Sequence, residues 1–255
     1  MDLVDTHCHL QFEKLAHNID AVLKGAANAG VKQMICVGTS AKDSARAVDF
    51  AASYPDVWAA VGVHPHEAKQ FDYDNELKHL AELAVRPRVV AFGEIGLDFY
   101  KDYAPRDEQE KLFRRQLEIG LASGLPFIFH VRDAWADFWR IVADYGGLNG
   151  VVHSFSSGRR QVDRILEKGW YIGLNGIMTF TRDQAQLDAA KAIPADRLLL
   201  ETDAPFLTPE PFRGDICEPK HVAATAEFLA DLRAVPVQEL SSSTTDNAVS
   251  LFDLT

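Results

Sequence analysis

At 255 residues the chain is long enough for one large core, and a formal net charge of −11 argues against a broad basic surface that grips nucleic-acid backbones unaided. Hydrophobic residues at 47% and charged residues at 25% are a folded, soluble balance, and no run approaches the roughly 18 apolar residues of a membrane span. Three cysteines, Cys8, Cys36 and Cys217, include no CxxC pair and argue against a disulfide framework or a zinc finger; with no basic start of a secretory signal, a cytoplasmic location is expected.

The first apolar run covers 3–7. A helical pattern follows, with Leu15, Ile19, Val22, Leu23 and Ala26 at spacings of three and four and a stop at Gly30. Further strand-like runs lie at 31–37, 57–63 and 89–95. After Pro105, Asp107 and Glu108 favour a helix N-terminus, Phe113, Leu117 and Leu121 mark one face, and Gly124 ends the helix ahead of Pro126. Runs at 126–131, 150–153, 171–174 and 198–202 complete eight strands, with helices at 134–145, 159–168, 183–192, 219–233 and 238–252. The last contains a run of poor helix formers from Ser241 to Thr245 and rests on Ala248, Leu251 and Phe252. Near-continuous apolar runs mark parallel strands covered on both faces. The unbroken alternation predicts one domain over residues 1–255, a single (β/α)8 TIM-type barrel, with a doubly wound open sheet as the alternative.

Five of the nine histidines, His7, His9, His64, His130 and His153, fall inside or at the C-terminal ends of these strands, the active face of a barrel. His7 and His9, two apart on a strand, point to one face and can bind one ion, while Cys8 points the other way. Glu94, in an apolar, glycine-flanked setting, needs a cation or an arginine such as Arg132; with two carboxylate oxygens it is the candidate bridge between two metals. His130 and His153 can hold a second ion. Asp203 can coordinate a metal and accept a proton from water, or cap the following segment. Glu201, deeper, suits orienting a histidine or a buried ion pair. His64 fits a substrate phosphate, a metal-bound water or a structural role, and Arg132 fits a phosphate clamp or a salt bridge. His17, His66, Glu67, His79 and His221 are expected to face solvent. No G-x-S-x-G elbow, P-loop or dinucleotide fingerprint occurs, which leaves a hydrolase with water as nucleophile.

Six motifs now stand in order: Asp5-Thr6-His7-Cys8-His9-Leu10, Gly62-Val63-His64-Pro65, Gly93-Glu94-Ile95-Gly96-Leu97-Asp98, His130-Val131-Arg132-Asp133-Ala134, His153-Ser154-Phe155-Ser156 and Glu201-Thr202-Asp203-Ala204-Pro205. In these the chain resembles the TatD family of metal-dependent deoxyribonucleases, itself similar to the metal-dependent amidohydrolase barrels, over essentially its whole length. Gln109, Phe113, Gln116, Leu117, Asn247, Leu251 and Phe252 match lesser family features. The resemblance implies that His7, His9, Glu94 and Asp203 ligate one divalent metal and Glu94, His130 and His153 the other, with Zn, Mn, Mg or Ni all compatible. It implies phosphodiester hydrolysis of DNA, of exonuclease type and on single-stranded or frayed ends, with no membrane partner; a monomer is compatible with it. Glu94, where amidohydrolases often carry a carbamylated lysine, favours the TatD branch. Two departures are Cys217, where asparagine is more common, and the Ser/Thr run before Asn247. Hydrolysis of a carboxyl ester or amide (a lactone, a cyclic amide or an aminoacyl ester on RNA) is the rival, since the same metal pair polarises a carbonyl; a non-catalytic binding barrel is a second.

Overall fold

A computed structural model describes residues 1–101 and 103–255. Eight strands, β1 (Leu3–Cys8), β2 (Val31–Val37), β3 (Val57–Val61), β4 (Val89–Asp98), β5 (Phe127–Arg132), β6 (Gly150–Val152), β7 (Tyr171–Leu174) and β8 (Leu198–Leu200), follow the order β1 to β8 in one sheet. A doubly wound sheet reverses its strand order at a switch point, so this monotonic order assigns the (β/α)8 class. Among the described residues no helix is long and apolar enough to cross a membrane.

The chain divides into two compact units, Met1–Ile35 with His153–Thr255, and Cys36–Val152. In the first, β1 is buried along its whole length and meets Ala204 beyond β8 through a parallel bridge at Cys8. Asp5 fastens these segments: its carboxylate accepts from Thr202 N at 2.9 Å and Thr202 Oγ1 at 2.6 Å, and burial pushes its pKa up to about 8 against those hydrogen bonds. Asn247 donates to the carbonyls of Ala195 and Leu198 at 2.8 and 2.9 Å, tying the helix Val237–Phe252 to β8. That helix tolerates its Ser/Thr run because the hydroxyls bond back to the preceding turn: Thr244 Oγ1 donates to Leu240 O at 2.9 Å and Ser241 Oγ to Gln238 O at 3.1 Å. The expected helix through Leu15 to Ala26 is instead two, Glu13–Ala16 and Ile19–Asn28, broken at His17 and Asn18.

In the second unit, Phe92, Phe113, Phe127, Phe129 and Phe138 are fully buried and pack as stacked and edge-on pairs around β4 and β5. Two glutamines on the helix Arg106–Ser123 act as clamps. Gln116 accepts from Val63 N at 2.8 Å and donates to Val63 O at 2.9 Å, just beyond β3. Gln109 accepts from Asp98 N and donates to the carbonyls of Asp98 and Ala104. Each satisfies backbone that leaves the ladder where a strand ends. Gly96 has φ of +149°, and a Cβ there would lie 2.0 Å from His130 O, so only glycine lets β4 and β5 approach this closely.

Candidate metal centre

Each unit carries its own cluster of imidazoles and carboxylates. In the first unit, His7 and His9 come from the end of β1, His153 from the start of the segment after β6, and Asp203 from just beyond β8. Asp203 Oδ1 lies 3.3 Å from His9 Nε2 and 3.6 Å from His7 Nε2. The His7 and His153 rings stack with centroids 3.9 Å apart and planes at 15°. Donor atoms of His7, His153 and Asp203 all lie within 4.8 Å of one another, the reach of one ion. Asp203 sits at φ +60°, a conformation uncommon for a residue with a Cβ, and its N–H donates to His7 O at 2.8 Å, which fixes the backbone that aims the carboxylate. Burial alone would raise the Asp203 pKa, but the imidazoles of His9, His7 and His153 together hold it below the usual carboxylate value.

Glu201 stands behind His153. Its Oε1 lies 3.3 Å from His153 Nδ1 and accepts from Ser154 N at 2.6 Å and Asn175 Nδ2 at 3.3 Å, while its Oε2 is buried with no hydrogen-bond partner among the described residues. The carboxylate thus stands against the Nδ1 side of the His153 ring, the side away from Nε2. A Cβ on Gly173 would stand 2.4 Å from Glu201 Oε2, so the strand leaves room for this carboxylate.

The second unit holds Glu94 and Asp98 on β4, His130 on β5, and His64 and His66 after β3. Glu94 Oε1 meets His130 Nδ1 at 2.6 Å and His64 Nε2 at 3.7 Å. His130 Nε2 meets Asp98 Oδ2 at 3.2 Å, and His66 Nε2 meets the same oxygen at 3.0 Å. Burial would raise the Asp98 pKa, yet its bonds to His130 and His66 hold it well below the usual range. His130 is therefore gripped from behind by Asp98 as His153 is by Glu201.

His64 is different. Its Nδ1 accepts from His66 N at 3.1 Å, capping the short helix Pro65–Gln70, and burial together with the neighbouring His130 keeps its pKa well below the usual histidine value. A neutral ring with an accepting Nδ1 carries its proton on Nε2. Although His64 falls in two groupings of metal-ligand side chains, with Glu94 and His130 and with His66 and Asp98, that N–H makes it a hydrogen-bond donor rather than a ligand.

These residues fit a divalent cation. Among the described residues, the ion-pair partners of Asp203, Glu201 and Asp98 are all imidazoles, with no lysine or arginine to balance their charge. Imidazole and carboxylate together are a donor set suited to Zn or Mn. Arg132 is elsewhere: it is exposed and its guanidinium lies 3.8 Å from the Tyr100 ring centroid.

Asp98 draws no role from the sequence, and His66 corrects an expectation: it is half-buried and meets Asp98 Oδ2 at 3.0 Å instead of facing solvent. Two signals were present, the His-Pro-His spacing and a second carboxylate four residues after Glu94 on one strand face. His221 corrects an expectation: it is buried, not solvent-facing, because its Nδ1 accepts from Glu218 N at 3.0 Å and its ring stacks on Phe212 at 4.9 Å. His17, Glu67 and His79 are exposed as expected.

The family profile described as TatD related DNase matches residues 4–253. The chain is similar to the uncharacterized metal-dependent hydrolase YcfH of Escherichia coli (strain K12), 39% identical over 100% of this chain and 97% of the relative. It is 35% identical to the 3'-5' ssDNA/RNA exonuclease TatD of Salmonella typhimurium (strain LT2), over 99% of each chain. The crystal structure of YJJV, a TatD homologue from Escherichia coli K12, superposes with a TM-score of 0.92 at 33% identity and covers 98% of both chains.

Proposed function

Because the chain belongs to the TatD related DNase family, and so stands among hydrolases, we propose that it is a metal-dependent nuclease hydrolysing phosphodiester bonds of single-stranded DNA, from strand ends. The observation that carries this reading is the pair of clusters in which a carboxylate holds an imidazole from behind, Glu201 on His153 and Asp98 on His130. The name of the Salmonella relative supports the substrate class.

In this reading His7, His9, Glu94 and Asp203 hold one divalent ion and Glu94, His130 and His153 the other, the set that the resemblance implies. When bound, such ions polarise the phosphoryl oxygens and bring the pKa of water from 15.7 toward roughly 7. Asp203, kept ionised by its imidazole neighbours, accepts the proton that the attacking water loses. His64, neutral and carrying its proton on Nε2, donates a hydrogen bond to a phosphate oxygen as charge builds on it. Glu201 and Asp98 keep His153 and His130 in one tautomer and orientation through the cycle.

The deciding experiment is nucleotide release from a single-stranded oligonucleotide by the purified protein, in chelator and after separate addition of Mg, Mn and Zn. Chelator-sensitive release that disappears in Asp203→Asn is expected. Metal-replete protein that leaves the strand intact while opening a lactone or cleaving an ester overturns the nuclease reading in favour of carboxyl hydrolysis.

A further inference from the structure

The loop after β4 carries two rings that neither the core nor the metal-ligand clusters use. Tyr100 and Tyr103 are 54% and 61% exposed, among the most exposed large side chains described. The backbone is tied before and after them: Asp98 Oδ1 accepts from the N–H of Tyr100 at 3.0 Å and of Lys101 at 3.3 Å, and Gln109 holds the carbonyls of Asp98 and Ala104.

Their neighbours are cationic and close to the chemistry. The Arg132 guanidinium lies 3.8 Å from the Tyr100 centroid and the Lys101 ammonium 5.1 Å. Tyr103 meets His66 edge-on at 4.7 Å, and with His66, Glu67, Lys69 and Gln70 it lines a cavity of about 360 Å³. His66 in turn bonds Asp98, which holds His130. Exposed rings, interleaved cations and a path to a site imidazole therefore lie in one unit.

We propose that Tyr100 and Tyr103 form a stacking platform for unpaired nucleobases of the single strand being cleaved, with Arg132 and Lys69 placed for its backbone. This rests on the nuclease reading above and adds how the strand is chosen. With a net charge of −11 the chain has no broad excess of cations for a polyanion, and contacts to the bases add affinity that such a surface does not supply. Stacking on an aromatic ring accepts any base, and a duplex keeps its bases stacked on one another and out of reach.

The test is fluorescence anisotropy of the full chain, in chelator so that no strand is consumed, with two fluorescein-labelled probes: an oligothymidylate and an abasic backbone of equal length. The oligothymidylate should bind about tenfold tighter than the abasic strand, and Tyr103→Ala and Tyr100→Ala should each weaken it by about tenfold. Tyr103→Phe should keep the wild-type affinity, and the alanine variants should leave abasic binding unchanged. Equal wild-type affinity for the two probes, or alanine variants that bind thymidylate as the wild type does, overturns the platform. A strand bound through the tyrosines yet uncut in Mg, Mn and Zn removes the nuclease reading and keeps the platform; efficient cutting that ignores both tyrosines does the reverse.

Discussion

In the unit of Met1–Ile35 and His153–Thr255 the three imidazoles His7, His9 and His153 are buried and the carboxylate Asp203 reaches solvent; in Cys36–Val152 the carboxylates Glu94 and Asp98 are buried and the imidazoles His64, His66 and His130 reach solvent. Apart from Glu201, buried behind His153 as Asp98 is behind His130, the same two side-chain types are arranged with opposite gradients. A partly exposed carboxylate ringed by imidazoles can take a proton from water, whereas His64, kept neutral by burial and by His130, can give a hydrogen bond to an incoming anion. On the function proposed above, the first unit supplies the base Asp203 and the second the donor His64.

The largest effects should test that division directly. Asp203→Asn should lower kcat by about 10²- to 10⁴-fold on an oligonucleotide, with thermal stability close to wild type. Removing metal is the next lever. If the clusters bind divalent ions only in the folded chain, ions at about a hundred times their Kd should add roughly 2.7 kcal/mol, read as a fall in Tm on chelation. An unchanged Tm would show that neither cluster is loaded.

Smaller effects separate the two backing carboxylates. Asp98→Asn and Glu201→Gln should each weaken metal binding by about 10- to 100-fold, measured by calorimetry. Both carboxylates also accept from backbone N–H groups, Glu201 from Ser154 and Asp98 from Tyr100 and Lys101, but only Asp98 meets two imidazoles, His130 and His66, so Asp98→Asn should lower the Tm more. Equal Tm for the two would erase the contrast. Least of all, the clamps should matter to folding but not to chemistry: Gln116→Ala in one unit and Asn247→Ala in the other each remove two buried hydrogen bonds and should cost about 1–3 kcal/mol in urea unfolding.

The strands and the clusters' histidines were legible because apolar runs and strand-end histidines are local signals; β7 even keeps its expected bounds of 171–174. What escaped depends on partners far along the chain. Asp98 meets His66 across 32 positions, and the local signals, a His-Pro-His spacing and a second acid on the face of Glu94, do not say that the two meet. Glu201 was placed as a histidine's partner, but which histidine is settled only by the packing of β8 beside the segment after β6. His221 read as exposed because its companions Glu218 and Phe212 signal nothing until the turn closes on them. Helix ends suffered likewise: the break at His17 and Asn18 interrupts an apolar period that reads as continuous.

Gly173 has no side chain to lend to the chemistry, yet a side chain there would strike the Glu201 carboxylate. The demands of the chemistry are thereby exported to a position with no chemistry of its own, and the two residues form an epistatic pair. Gly173→Ala alone should be damaging, but beside Glu201→Ala it should be nearly silent for folding. A lineage released from selection for hydrolysis would be free to lose both, and would lose the carboxylate first.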